Sequence, residues 1–480
     1  MSAPPAAATV AADQRPDVGR RPTLRADSIH FLGTAASAVG IQAPTAGVTF
    51  LPALMAGIVG GAGPLAFLLA LVAMLFVAFA FSTFASEFAA AGSVFAFNGR
   101  AIGARYGFVS AWLLLGVYLA YSASIYASNA NFTESLAHDA GVSVPWWVFA
   151  VAFWGVAVVL AYLRISVSTM LIFALEGVSI LLVAIVAIAV VTAGGAGGHA
   201  ISASPFSAGS VPLATIGLGI VFAFTGFSGF EVAATLGEEA RRPRRVIPAS
   251  MFAALLVSGG VYVAMSWVET IAFPTPQALA ASSVPLVDIA HRFVTPAMGT
   301  VINIAALISG IGAQLATVNG ANRLLFALGR DGFGPRRLTS VSARHGSPLG
   351  ALAATAIVSL AATIPFMING TSPLDAFFYL ATYGADLIIL TYLLTAIAAL
   401  VWSVRRHRLN PLRLGGIVAA IVVMGYIIKG TVYPIPEAPF NLCMYAAGFT
   451  VLLGMVLLGI PSLRRGLRAS TSIGAASADT

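Results

Sequence analysis

The chain has 480 residues, of which 59% are hydrophobic and 9% are charged, and its formal net charge is +8. Soluble domains carry about 25% charged residues, so this composition excludes a soluble globular protein and indicates an integral membrane protein. Apolar runs of about 20 residues predict membrane-spanning helices rather than the short alternating strands of a barrel. The single cysteine, Cys443, excludes a disulfide within one chain and a cysteine-based metal site.

Residues 1–28 are rich in Ala, Pro and Arg and have no apolar core, so they predict a disordered tail rather than a signal peptide. Residues 463–480 are small and polar and predict a second disordered tail. Between the tails, hydropathy predicts twelve membrane spans. Their approximate bounds are 31–58, 64–85, 107–129, 146–162, 168–193, 211–236, 247–271, 297–328, 349–369, 374–402, 412–432 and 440–461.

The basic residues fall on one side of this layout. Of the 25 Lys and Arg, only Arg292 and Lys429 lie on the other side. Since Lys and Arg accumulate in cytoplasmic segments, this pattern predicts a multi-pass protein of the cell membrane with both termini in the cytoplasm. The arginines are spread over many segments that meet lipid headgroups, which excludes a nucleic-acid partner. Nothing in the sequence indicates an obligatory protein partner.

Small residues interrupt two of the spans at corresponding places. The first interruption is 40–47, read Gly-Ile-Gln-Ala-Pro-Thr-Ala-Gly, and the second is 225–231, read Thr-Gly-Phe-Ser-Gly-Phe-Glu. In a bilayer, backbone groups freed from a helix are tolerated only where they line a cavity or meet a ligand. One interruption at the start of each half predicts the midplane binding site of a secondary transporter. The alternative is that the small residues permit close helix packing.

Polar and small side chains at these interruptions are the candidate substrate ligands. Freed N–H groups attract a carboxylate, and freed carbonyl groups accept hydrogen bonds from an ammonium group. The third and eighth spans add further polar residues, including Tyr121, Gln314 and Asn319. The substrate-binding set predicted from the sequence is Gln42, Ala43, Thr45, Tyr118, Gly226, Phe227, Ser228 and Thr317.

Three carboxyl groups lie within predicted spans: Glu176, Glu231 and Asp386. Ionisable groups inside a membrane are costly, and a buried carboxyl group can exchange a proton as its exposure changes, so all three are candidates for proton coupling. Glu231 is the strongest because it adjoins the second interruption. For Glu176 and Asp386 the favoured alternative is a structural hydrogen bond between helices. Glu269 lies near the end of a span and is expected at the membrane interface.

Two basic loops carry further expectations. Acids opposite arginines in 238–248 predict a stiff, salt-bridged connection to the seventh span, and 330–348 is rich in Arg, Gly and Pro. Each loop is interpreted either as a latch of an inner gate or as an anchor for headgroups. The string Gly-Phe-Ser-Gly at 226–229 resembles a serine-hydrolase motif. Serine chemistry needs a histidine base, and all six histidines lie in loops, tails or span edges, so an enzyme is not predicted.

These motifs together resemble the amino acid–polyamine–organocation (APC) family of permeases. The resemblance rests on Gly-Phe-Glu at 229–231 with the tail to 248, on Asn-Arg at 322–323 with 330–335, and on Ala-Gly-Ser at 91–93. It implies an all-α, LeuT-like fold of about 12 transmembrane helices: two inverted five-helix repeats, 29–200 and 205–402, with accessory helices in 410–462. The first and sixth helices would be broken around the substrate. The resemblance also implies that Phe227 and Ser228 contact substrate, that Tyr118 lies nearby, and that Glu231 senses protons.

Two departures from the family pattern qualify this function. The first interruption lacks the family's Gly-x-Gly, which puts recognition of an α-carboxylate in question. The only lysine is Lys429, so the fifth-helix lysine of some relatives is absent and sodium coupling stays open. The expected function is proton-coupled, alternating-access transport of amino acids or related amines, with no resident cofactor. The alternatives are an exchanger of polyamine or amine type and a non-transporting amino acid sensor.

Overall fold

A computed structural model describes residues 29–87, 93–163, 165–198, 201–237, 239–342, 344–407, 410–433 and 435–459, with backbone only for 165–173. Both predicted tails, Arg164, Glu238 and the first two residues of the turn at 91–93 lie outside the described residues. Within them the chain is helical, with two isolated β-bridges and no strand. The prediction of an all-α membrane protein is therefore confirmed.

The α-helices of the described residues are numbered α1 to α18 in chain order. They are Phe31–Gln42, Pro44–Val48, Leu51–Val59, Gly63–Ala85, Val94–Ala101, Ala104–Asp139, Trp146–Tyr162, Ile165–Thr192, Leu213–Phe227, Val232–Thr235, Pro243–Ala272, Pro276–Ala280, Pro285–Phe293, Pro296–Arg330, Leu349–Ile368, Pro373–Arg405, Pro411–Val432 and Phe440–Leu457. Proline opens many of these helices because its missing N–H would have no partner in the first turn.

Ten helical segments of the described residues are long and apolar enough to cross a membrane, so the predicted count of twelve is not confirmed. The first predicted span is divided among α1, α2 and α3, and its last part continues into α4. The fourth predicted span is α7, a helix of only 17 residues. The loops also contain short helices, α5, α12 and α13, that hydropathy does not detect because they are too short to register as spans.

Two long helices lie at the centre of the bundle. Helix α6 has 36 residues and α14 has 35, and the two pack against each other. Helix α16 packs along α6, while α1 contacts α8, α11 and α14. Helices α17 and α18 lie at the periphery and expose much of their apolar surface. The two interrupted segments, α1–α3 and α9–α10, therefore lie inside the bundle, where their polar backbone is shielded from lipid.

The arginine-rich face of the bundle is closed by contacts around Glu239. The Ile29 N–H group donates to the Glu239 carbonyl at 3.0 Å, and the Arg241 N–H group donates to the Ile29 carbonyl at 2.8 Å. The Glu239 carboxylate forms a salt bridge with Arg323 of α14, with Nε and Oε1 2.6 Å apart. The predicted pairing of loop acids with loop arginines is therefore wrong for Glu239, because its partner comes from a helix packed across the loop.

Candidate functional site

The first interruption separates α1 from α2 at a single residue. Ala43 has φ +41° and ψ +60°, a left-handed conformation that ends α1 at Gln42. Pro44 then opens α2, since a proline ring suits the first turn of a helix and lacks the N–H group that would be unpaired there. The Gly40–Pro44 pattern identified in the sequence thus produces a sharp break rather than a gentle unwinding.

The N–H groups at the start of α2 are met by the protein itself. The Thr45 N–H group donates to Oε1 of Glu176 at 3.2 Å, and the Ala46 N–H group donates to Oγ of Ser309 at 3.3 Å. Glu176 lies on α8 and Ser309 on α14, so two neighbouring helices hold the first break. These two N–H groups, which the sequence analysis considered as donors to a substrate carboxylate, are therefore already hydrogen-bonded in this conformation.

The second interruption separates α9 from α10 over several residues. Helix α9 ends at Phe227, Ser228 is extended, and Gly229 has φ +104°. A side chain is disfavoured at that φ, and a Cβ at Gly229 would lie 2.3 Å from Cγ2 of Ile41 on α1. The Ser228 hydroxyl is 2.7 Å from the Tyr121 hydroxyl of α6. The glycine therefore permits both the turn and the close approach of the two interrupted helices.

A fully buried carboxyl group follows this turn. Glu231 has no exposed surface, and it accepts hydrogen bonds from Tyr118 of α6 at 3.2 Å and from Tyr392 of α16. The Tyr392 hydroxyl also accepts a hydrogen bond from the Gly229 N–H group at 3.1 Å. Both partners of the carboxyl group are neutral hydroxyls, and no salt bridge to Glu231 occurs among the described residues.

Gln42 connects the two interruptions. Its Nε2 donates to the Phe227 carbonyl at 2.8 Å, and its own carbonyl accepts a hydrogen bond from Tyr262 of α11 at 2.6 Å. The side-chain oxygen of Gln42 is buried without a partner, as is that of Gln314 on α14. Buried polar atoms are rarely left unpaired, so the free acceptor of Gln42 beside the first break indicates a place for a hydrogen-bond donor.

A cavity of about 20 Å³ lies on the arginine-rich side of this site, between α1, α10 and α14. Gly40 and Ala316 are among its lining residues, and Arg323, the partner of Glu239, lies in the same lining. This volume suffices for about one water molecule. A small organic substrate therefore cannot occupy this cavity unless the helices around it move apart.

The structure brings most of the predicted residues together, but not all. Thr317 donates to the Ala313 carbonyl of its own helix at 2.7 Å. Asp386 is buried on α16 and takes no part in the hydrogen bonds around either break. The Phe227 ring packs against Phe67 and Tyr262, so the hydrogen bond of this residue to the first break is made by its carbonyl group.

Sequence reasoning missed two tyrosines and the burial of one acid. Tyr392 and Tyr262 lie in apolar helices, where a buried hydroxyl needs a partner, and that requirement was the available signal. Glu269, expected at the interface, has no exposed surface. Glu269 lies three residues before the end of α11, and the structure adds that it is on the buried face of that helix.

A bundle of apolar helices with two facing interruptions and a buried carboxyl group is typical of a multi-pass membrane transporter. The sequence model described as amino acid permease matches residues 29–460, so the chain belongs to the amino acid permease family. The predicted resemblance to the APC family is confirmed. Related proteins are themselves described as permeases and importers.

Individual relatives differ in what they carry. The low-affinity putrescine importer PlaP of Escherichia coli K12 is 27% identical over 59% of this chain and 62% of its own length. The branched-chain amino acid permease BcaP of Bacillus subtilis is 24% identical over 60% of this chain and 64% of its own. The matched regions thus span less than two thirds of the length of each of these relatives. A solved manganese transporter from Eremococcus coleocola shares the fold, with a TM-score of 0.52 and 14% identity over 93% of this chain and 98% of its own.

Proposed function

We propose that this protein is a secondary active transporter that carries amino acids or related amines across the cell membrane by alternating access. The arginine-rich face, which includes the Glu239–Arg323 pair, lies in the cytoplasm with both termini. The distribution of Lys and Arg supports this orientation. The relatives named as a putrescine importer and as a branched-chain amino acid permease support the substrate class.

The moving parts are two inverted five-helix repeats, 29–200 and 205–402, and 410–462 supplies two accessory helices. Each repeat begins with an interrupted segment. Each also has a very long third member, α6 of 36 residues and α14 of 35, directly preceded by a short helix, α5 or α13. Counting α1–α3 as one interrupted crossing that ends at Val59, and adding α7, gives the twelve crossings of this architecture.

Proton coupling is assigned to Glu231. The observation that supports it is a carboxyl group with no exposed surface, held by two tyrosine hydroxyls and located directly after the second break. An ionised carboxylate without a cationic partner is costly in an apolar interior, so burial opposes ionisation of this group while the site is closed. Opening toward water favours ionisation and proton release, which couples the proton to the conformational cycle. Asp386 and Glu176 remain secondary candidates.

The substrate group recognised at the first break is an amine. The free oxygens of Gln42 and Gln314 accept hydrogen bonds, whereas the Thr45 N–H group is already bound to Glu176. An ammonium group satisfies several acceptors at once. A substrate carboxylate would have to displace Glu176 from Thr45. Neutral or weakly cationic amines, and amino acids held by their amino group, are therefore the proposed substrates.

Uptake into proteoliposomes tests this proposal. A labelled panel of amino acids and amines is presented under an inward proton gradient, with and without sodium. Accumulation that collapses when the proton gradient is dissipated supports proton symport. Uptake only into vesicles preloaded with substrate supports an exchanger, for which the putrescine importer among the relatives offers an amine precedent. Binding without flux would make the protein a sensor and overturn the transport mechanism.

A further inference from the structure

Helix α11 presents one continuous buried face to the bundle. The residues of this face recur at helical spacing, and they are Met251, Leu255, Ser258, Tyr262, Met265 and Glu269. Tyr262 is the residue whose hydroxyl holds the first break through Gln42. Glu269 lies seven residues further along α11, which is two helical turns or about 10 Å. This direction leads to the arginine-poor face, the face of the bundle opposite the arginine-rich one. The carboxyl group of Glu269 is thus aligned with the transport site and separated from it by Met265.

Both carboxyl oxygens of Glu269 are buried and form no hydrogen bond within the described part of the chain. Helices α1, α2, α3, α4, α9, α10 and α12, which pack against α11, contain no Asp, Glu, His, Lys or Arg. Helix α8 contributes Glu176, which is bound to Thr45, and α13 contributes exposed groups. Those exposed groups are Asp288, His291 and Arg292, and Nη1 of Arg292 donates to the Ala272 carbonyl at the end of α11 at 3.4 Å rather than to Glu269. No cation among the described residues therefore pairs with Glu269.

A carboxylate in such surroundings has lost its water and gained no partner, so the protonated form is favoured. A neutral carboxyl group still carries an O–H donor and acceptor oxygens, and these are also unpaired here. Such a group is satisfied only when water or another donor reaches it. Since α11 ends at Ala272, three residues beyond Glu269, the shortest path from Glu269 to solvent leads to the arginine-poor face.

We propose that Glu269 is a second proton-binding site, on the outer side of the barrier, distinct from Glu231. It holds a proton while the bundle is closed and exchanges it with the external solution when the outer side opens. This role deepens the proposed function, since it supplies a proton-loading step ahead of the coupling residue. Glu269 is a positioning and proton-holding group and does not touch the substrate.

Chemical labelling tests the protonation state without any mutation. A lipid-soluble carbodiimide adds to protonated carboxyl groups in apolar surroundings, and peptide mass spectrometry locates the adduct. In the reconstituted full chain we expect Glu269 to react at least about tenfold faster than exposed Glu437, with the rate falling as the external pH rises. Equal reaction at the two residues, or a rate at Glu269 that is independent of pH, overturns the proposal.

Variants test the role in transport. Glu269→Gln is expected to lower gradient-driven uptake at high external pH and to leave counterflow exchange intact, and Glu269→Asp is expected to restore the pH dependence. Glu437→Gln is the control. A Glu269→Gln profile that superimposes on that of the unchanged protein contradicts the proposal. If uptake never depends on protons, the proposed symport fails, yet the labelling result still decides whether Glu269 holds a proton.

Discussion

Both helix interruptions bury polar groups inside an apolar bundle, and those groups find their hydrogen-bond partners in different ways at the two breaks. At the second, Ser228 and Glu231 bind the hydroxyls of Tyr121, Tyr118 and Tyr392, and every buried side-chain oxygen is paired. At the first, Gln42 keeps a free buried oxygen, while backbone donors are met from α8 and α14. The second break is therefore organised as a closed polar network, and the first retains capacity for a ligand. This difference is the basis for the proposal that the second break serves proton coupling and the first serves substrate recognition.

The sharpest way to break this division is to neutralise the acid at each interruption separately. Glu231→Gln is expected to abolish proton-driven accumulation and to spare exchange, because a neutral amide cannot release a proton. Glu176→Gln is the matched variant, since its amide oxygen still accepts from the Thr45 N–H group. We expect it to retain gradient-driven uptake. Accumulation and counterflow in the same vesicles measure both, and loss of coupling in Glu176→Gln alone would reverse the assignment.

The tight contact between the two breaks can be disrupted at Gly229. Gly229→Ala forces a side chain into an unfavourable φ and against Ile41, at a cost of about 1–3 kcal/mol for the backbone alone. We expect a clear loss of thermal stability in detergent and of transport. Gly448→Ala on α18 is the control, because a Cβ there meets no atom within 4 Å. Equal melting temperatures for the two variants would show that this approach of the helices is dispensable.

The Glu239–Arg323 pair lies on the arginine-rich side of the first break, and we propose that it helps to close that side. Breaking a partly buried pair leaves one charge without its partner, so Arg323→Gln is expected to favour the inward-open state by about 1–3 kcal/mol, which is about 5- to 150-fold in the equilibrium. Cys443→Ala removes the only cysteine, and Ala316→Cys then reports access to the cavity. We expect faster thiol labelling in the Arg323→Gln background. The exchanged pair, Glu239→Arg with Arg323→Glu, should return labelling toward the original rate.

Loss of the link between the breaks should have a smaller effect. Gln42→Leu removes the bond to the Phe227 carbonyl and the free acceptor, which together contribute about 1–3 kcal/mol. We expect the apparent KM to rise about tenfold with little change in the maximal rate. Gln277→Leu on the short helix α12 is the control for loss of an amide. An unchanged KM in Gln42→Leu would exclude this residue from substrate recognition.

The smallest predicted effect compares the two tyrosines of Glu231. Tyr118→Phe removes one hydrogen bond to the carboxyl group, worth about 1 kcal/mol. Tyr392→Phe removes another and also leaves the Gly229 N–H group unpaired, so its effect on the pH profile of uptake should be larger. Thr317→Val, which removes a hydroxyl bound only within its own helix, is the control. Equal profiles for both tyrosine variants would place the Gly229 contact outside the coupling mechanism.

The sequence by itself determined the class of protein, the helical architecture and the positions of both interruptions. Membrane spans and their orientation follow from the hydropathy and the arginine content of contiguous segments, without any contact between distant residues. Gly40, Pro44 and Gly229 interrupt the helices through their effect on the local backbone. The sequence also predicted that Glu231 and Gln42 lie at these interruptions. Sequence alone therefore located the ends of the broken helices with good accuracy.

Only the tertiary structure decided which groups complete the site. Tyr392 lies 161 residues from Glu231 and Tyr262 lies 220 from Gln42, so no local pattern pairs them. Likewise, only the structure shows that Glu239 pairs with Arg323 and that Glu176 accepts a hydrogen bond from the Thr45 N–H group. It also shows that Glu269 is buried. Each outcome depends on which face a helix presents to its neighbours. In a chain that is apolar on nearly every side, hydrophobic periodicity does not specify that face.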